Sequence, residues 1–217
     1  MVGADLDRRC AGGCEIMGAK LWQSLIQRLR PLICPFEPLI SALPDDGRVL
    51  DVGCGTGALI LAASVAGKVR EALGVDISAE ALVQARLTAS ERLGFSARLT
   101  FQQCESPAEI QGQWETVIMV DVLHHVPIKM QEIFWKAAAV RVSSGGRLIY
   151  KDMCHRPLWR VGMNRLHDLV VAKQWIREVP LETVKTWASE SGFKVVHEQR
   201  YTRLWYGHEL LILEKCS

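Results

Sequence analysis

Nothing in this 217-residue chain is apolar for long enough to cross a bilayer. A spanning helix takes about 20 consecutive apolar residues, and the longest such stretch, residues 58–66, falls well short. Asp5, Asp7, Arg8 and Arg9 interrupt the amino terminus before any apolar region, so neither a signal peptide nor a membrane span is expected. An excess of one charge is also missing. The 26 Lys and Arg residues against 24 Asp and Glu leave a net charge of +2, which speaks against a nucleic-acid partner. The seven cysteines, at 10, 14, 34, 54, 104, 154 and 216, are odd in number and contain no C-x-x-C pair. Reduced thiols and a cytoplasmic location are expected, in place of a disulfide framework. Cys10 and Cys14 are spaced C-x-x-x-C, but no second ligand pair lies near to complete a zinc site, so no metal is expected. No repeat or low-complexity segment divides the chain, and one domain is expected over residues 1–217.

What is present is a hydrophobic content of 49%, enough for a sizeable core, and one glycine-dense run. Val49-Leu50-Asp51-Val52-Gly53-Cys54-Gly55-Thr56-Gly57 reads as an apolar strand entering a turn and then an apolar helix. Glycine at 53, 55 and 57 allows positive φ and a close approach of backbone to ligand, at the strand end where open α/β sheets bind their ligands. The spacing G-x-G-x-G is one residue shorter than the dinucleotide fingerprint, which needs a third glycine at position 58, here Ala. With Asp51 just upstream, it suits a smaller zwitterionic ligand. A second strand ends at Asp76, about 20 residues on, where a carboxylate can accept from both hydroxyls of a ribose. Ile77 follows it, and Ser78 is placed to cap a helix over residues 79–93. A third strand over 97–104 leads to Glu105 and Ser106. A fourth, over 116–121, ends in Asp121 and runs into Val122-Leu123-His124-His125-Val126, and a fifth covers 146–152 after Gly145-Gly146. Alternating strands and helices call for a mostly parallel α/β sheet with right-handed crossovers.

Residues 47–152 resemble the class I S-adenosylmethionine-dependent methyltransferases, with the glycine run as their first motif and the later landmarks in the family's order. The resemblance implies a three-layer sandwich around a seven-stranded sheet whose last strand is antiparallel. Residues 1–46, with amphipathic helices at 16–29 and 36–43, form a helical cap. Residues 47–152 form the cofactor core, residues 153–192 a substrate lid, and residues 193–217 a closing hairpin, with strands at 193–203 and 209–216 around Trp205-Tyr206-Gly207-His208. The cofactor implied is S-adenosyl-L-methionine, released as S-adenosyl-L-homocysteine. The implied binding residues are Asp51, Gly53, Cys54, Gly55, Gly57, Asp76, Ile77, Glu105, Ser106 and Asp121. Where members that methylate amide or exocyclic amine nitrogens carry an Asn-Pro-Pro-Tyr motif, this chain has Asp121-Val122-Leu123-His124. A small-molecule acceptor, as in secondary metabolism, is therefore expected. The competing readings are a NAD-dependent oxidoreductase and a non-catalytic cofactor-binding regulatory subunit.

A methyl sulfonium is already activated, so proximity and orientation, worth about 7 to 11 kcal/mol in the best cases, carry most of the reaction. A base is needed only where the acceptor must lose a proton. His124, His155 and His167 are the candidates, because imidazole titrates near working pH. Asn164, His167 and Asp168 share one helix face. Asp121 and Asp152 end strands where metal-dependent catechol-type members hold magnesium, but Met153 replaces an asparagine ligand and Lys151 adds positive charge, so metal independence is expected. Lys151 is open to pairing with Asp152 or with a substrate acid. Trp159, Met163, Trp175 and Trp187 read either as core or as the lining of an apolar acceptor pocket. Arg156, Arg160, Arg165, Lys173 and Arg177, against Asp168 alone, read either as a solvated helix face or as a rim for an acidic substrate or carrier protein.

Overall fold

The computed structural model describes residues 36–93, 98–154, 178–203 and 206–216. The expected helix at 16–29 and residues 155–177, which include His155, His167 and the basic stretch, lie outside the described residues.

Helix α1 (Glu37–Ala42) precedes β1 (Gly47–Val52), α2 (Ala58–Val65), β2 (Val69–Asp76), α3 (Ala79–Leu93) and β3 (Arg98–Gln103). A 3-10 turn (Pro107–Glu109), β4 (Trp114–Val120), a second 3-10 turn (Leu123–His125), α4 (Ile128–Val140) and β5 (Val142–Met153) follow. Helix α5 (Leu181–Glu190) and strands β6 (Phe193–Arg203) and β7 (Tyr206–Lys215) close the described chain. The seven strands form one sheet in the order β3-β2-β1-β4-β5-β7-β6. The first five pair in parallel, and β7 runs antiparallel to both β5 and β6. This is the expected α/β sheet with its last strand reversed.

Strands β1 and β4 read as near-continuous apolar runs because parallel strands covered on both faces have no solvent side. One face carries Leu50, Val117, Met119, Leu148 and Leu213 into the main core, where α4 and α5 cover it. Trp135 of α4, fully buried, stands edge-on to Phe193 with ring centroids 6.2 Å apart and tilted on Trp187 at 6.4 Å. Leu181, Val184 and Ala188 of α5, spaced three and four apart, are buried in the same core. The stretch 153–192, read as a lid, contributes a core helix at 181–190, and Trp187 packs on Trp135 against that core.

Two boundaries depart from expectation for the same reason, that strand pairing outweighs local turn signals. Tyr206, Gly207 and His208, expected in a turn, pair with Arg203, Thr202 and Tyr201, and His208 also faces Met153 of β5. Gly145 and Gly146, expected before the fifth strand, lie inside β5 where its register with β4 shifts between Trp114 and Thr116. A glycine pair at such an irregularity marks a bulge.

Candidate active site

Strand order reverses between β1 and β4, and at that switch point, beyond the carboxyl ends of the parallel strands, lies a cleft of about 500 Å³. Val52 and Gly53, at the start of the glycine turn, line its floor. Gly53 and Cys54 both donate their N–H to the carbonyl of Val75, at 2.7 and 3.0 Å, which folds the turn over the end of β2. Gly53 has φ +74, and a Cβ placed there would come within 2.3 Å of Val122 Cγ2. Glycine thus lets the segment after β4 close against the turn. Gly57, at φ +71, starts α2 where a Cβ would meet Phe101 Cε1 at 2.8 Å.

Asp76 forms the next wall. Its Oδ2 accepts the Gly55 N–H at 2.8 Å and its Oδ1 accepts the Ser78 N–H at 2.9 Å. A carboxylate has about four acceptor positions, so two remain for a ligand. Ser78 caps α3 as expected, its hydroxyl accepting the Ala81 N–H at 3.2 Å. Glu105 and Ser106 line the third side and are pinned from behind. Glu109 Oε1 accepts the N–H of both, at 3.0 and 2.9 Å, while Ser106 Oγ accepts the Ala108 N–H, a reciprocal capping box.

The fourth side follows β4. Asp121 takes the left-handed conformation at φ +56, and its Oδ1 accepts from Lys151 Nζ at 2.6 Å. Val122 and the 3-10 turn come next, and successive residues of such a turn point about 120° apart. Only one imidazole of the pair can then face the cleft, and it is His125. His124, a candidate base by sequence, is buried with its Nδ1 against Asp152 Oδ1 and is not among the residues that line the cleft. Asp152 also accepts the Tyr150 hydroxyl at 3.3 Å and the Met153 N–H at 2.8 Å. Burial, reinforced by the Asp152 charge, raises the Tyr150 hydroxyl well above the ordinary phenol range, so it stays a proton donor.

Of the expected cofactor residues, Gly53, Asp76, Ile77, Glu105, Ser106 and Asp121 line the cleft. Asp51, Cys54, Gly55 and Gly57 lie behind it, in β1 and in the turn. Asp121 and Asp152 each hold a different cation-forming partner, Lys151 and His124, and Lys151 and Asp152, consecutive in β5, point to opposite faces of that strand. Among the described residues no three His, Cys, Asp or Glu side chains converge as a metal site. The outer wall was not anticipated from the sequence: Val126, Pro127, Met130, Ile133 and Phe134 make it apolar. Its signal was the i, i+3, i+4 spacing of Met130, Ile133 and Phe134, which reads equally as a core face. Met130 and Ile133 are instead 48% and 58% exposed.

Burial, and then the nearby Asp51 and Asp76 charges, push the Cys54 thiol far above its ordinary value. Only the thiolate alkylates. Iodoacetamide at pH 8 is therefore expected to modify exposed Cys216 and spare Cys54 in the folded protein, as peptide mass spectrometry would show.

An open parallel sheet with a reversed final strand, a glycine turn after β1 and an acid after β2 defines the class I methyltransferases. Residues 19–198 match the family model for the methyltransferase domain, and the chain belongs to that family, whose methyl donor is S-adenosylmethionine. It is 35% identical over 137 residues to a ubiquinone biosynthesis O-methyltransferase of Sodalis glossinidius, covering 62% of this chain and 51% of that one. The chain spans about half the length of the curated relatives it matches. In fold it is similar to magnesium protoporphyrin IX methyltransferase from Synechocystis PCC 6803 with bound SAH, at TM-score 0.70, 21% identity and 88% and 84% coverage of the two chains. It is also similar to an O-methyltransferase family protein from Burkholderia thailandensis, at TM-score 0.74, 20% identity and 92% and 60% coverage. The donor fits the residues present, because the cleft that Gly53 lines opens beside a carboxylate with acceptor positions to spare. Among the described residues no helix is long and apolar enough to cross a membrane.

Proposed function

We propose that the protein transfers a methyl group from S-adenosylmethionine to a hydroxyl oxygen of a small, apolar, aromatic acceptor, without a metal, with His125 taking the hydroxyl proton. The observation that carries this reading is the cleft itself. Among the described residues one imidazole lines it, and the wall beside that imidazole is built from Pro127, Met130, Ile133 and Phe134. The name of the Sodalis glossinidius relative, an O-methyltransferase of ubiquinone biosynthesis, points to the same acceptor class.

The bound donor supplies an electrophilic methyl group, and the chain supplies position. Asp76 accepts from the ribose hydroxyls, Ile77 and Pro107 flank the base, and Glu105 and Ser106 take its polar edge. The backbone at Gly53 borders the methionine end. An apolar outer wall keeps water from competing with the acceptor oxygen. A phenol near pKa 10 is a poor nucleophile until deprotonated, which gives a base in this position a contribution of about 100-fold or more.

Methyl-labelled S-adenosylmethionine should label catechols bearing an apolar tail. His125→Ala is expected to lower that turnover by about 100-fold while leaving affinity for S-adenosylhomocysteine within about twofold, measured by calorimetry. His124→Ala should instead lower thermal stability, since it leaves the buried Asp152 carboxylate without its imidazole. Wild-type turnover by His125→Ala would remove the base from this reading. Labelling of carboxylic acids or amines with no phenol accepted would remove the acceptor class.

A further inference from the structure

Lys151 is fully buried near the carboxyl end of β5, and its ammonium lies 2.6 Å from Asp121 Oδ1. The carboxylate itself lines the cleft. The two residues are also tied through the backbone, with the Asp121 N–H donating to the Lys151 carbonyl at 2.9 Å and Val120 in register with Lys151. A buried ammonium is tolerated only beside a compensating charge, and Asp121, its side chain 15% exposed, is placed to compensate it. The nearby acid Asp152 engages His124, and Tyr150 keeps its proton. The cleft wall thus presents a carboxylate to the ligand while a lysine balances its charge from inside the protein.

Donor and product differ in one formal charge. S-adenosylmethionine carries a sulfonium, and S-adenosylhomocysteine carries a neutral thioether in the same place. Any net charge on the wall of a partly water-excluded cleft favours one over the other, with a strength set by distance and local dielectric. We propose that the Lys151–Asp121 pair sets the discrimination between methyl donor and demethylated product. With both residues present this part of the wall adds no net charge to that of Asp76 and Glu105, so the donor is not overheld there. Lys151 acts through Asp121 as a positioning and charge-balancing residue. The inference rests on the donor site alone, not on the acceptor or on His125.

Calorimetric titration of the full chain with S-adenosylmethionine and with S-adenosylhomocysteine, at one fixed ionic strength, tests it. Lys151→Met removes one positive charge from beside the Asp121 carboxylate and should shift the ratio of the two dissociation constants about tenfold toward the donor. Asp121→Asn removes one negative charge from beside the Lys151 ammonium and should shift the ratio by a similar factor toward the product. The double variant should return the ratio to within about twofold of wild type. A role in structure alone weakens both ligands together and moves no ratio. Should Asp121→Asn fail to fold because it isolates the buried lysine, Lys151→Met and the double variant carry the comparison. Equal ratios in all folded variants, or shifts of the same sign in both single variants, would overturn the proposal. Wild-type protein that binds neither compound would overturn it together with the donor site, which distinguishes the two failures.

Discussion

Gly53→Ala is expected to lower stability by about 3 kcal/mol and to remove measurable binding of S-adenosylhomocysteine. Two costs add. The residue sits at φ +74, and a left-handed conformation costs a residue with a Cβ roughly 1 to 2 kcal/mol. The new methyl would also arrive 2.3 Å from Val122 Cγ2, and 3.1 Å from Cγ1, well inside contact distance. Overpacking of that kind typically costs about 1 to 3 kcal/mol. For a chain of this length each kcal/mol moves the melting temperature by roughly 2 to 4 °C, so a fall of about 10 °C is expected. Gly112→Ala separates the two costs. Gly112 has φ +77, but a Cβ there meets nothing within 4 Å, so only the backbone cost of about 1 kcal/mol should appear. Equal losses at the two positions would mean that Val122 yields easily and that the turn is not closed against the segment after β4.

Asp76→Ala should weaken binding of donor and product by about 1 to 3 kcal/mol, or roughly 5- to 150-fold. The carboxylate fastens the Gly55 and Ser78 amides and also faces the cleft, so its removal loosens the turn and deletes the ribose acceptor together. Asp76→Asn should fall between the two. One amide oxygen can still accept from a backbone N–H, while the amide nitrogen opposes the other. Titration of both variants with S-adenosylhomocysteine checks this order, and unchanged affinity in Asp76→Ala would place the ribose elsewhere.

Most of the sheet was legible because its signals are local. A strand that ends in Gly53, Gly55 and Gly57, or in Asp76, announces both its own end and the crevice beyond it, whatever else it packs against. Ser78 likewise marks the start of α3 by a hydrogen bond three residues long. What was less legible depends on partners distant in sequence. Which of His124 and His125 faces the cleft is decided by Asp152, 28 residues on from His124. Lys151 reads in sequence as pairing with Asp152 or with a substrate acid, whereas its ammonium meets Asp121, 30 residues away on the neighbouring strand. Glu109, which holds Glu105 and Ser106 in place, reads in sequence as one more surface acid. The apolar spacing of α4 does not say which face meets the core. Trp135, Ala138 and Ala139 take that role, while Met130 and Ile133 open toward the cleft.

The central claim is that the crevice between β1 and β4 is built for a methyl donor of the S-adenosylmethionine type. Calorimetric titration of the full chain with S-adenosylhomocysteine and, separately, with NADH tests it most directly. One site of micromolar affinity for S-adenosylhomocysteine and no heat of binding from NADH are expected. Saturable binding of NADH, with none of S-adenosylhomocysteine, would contradict it.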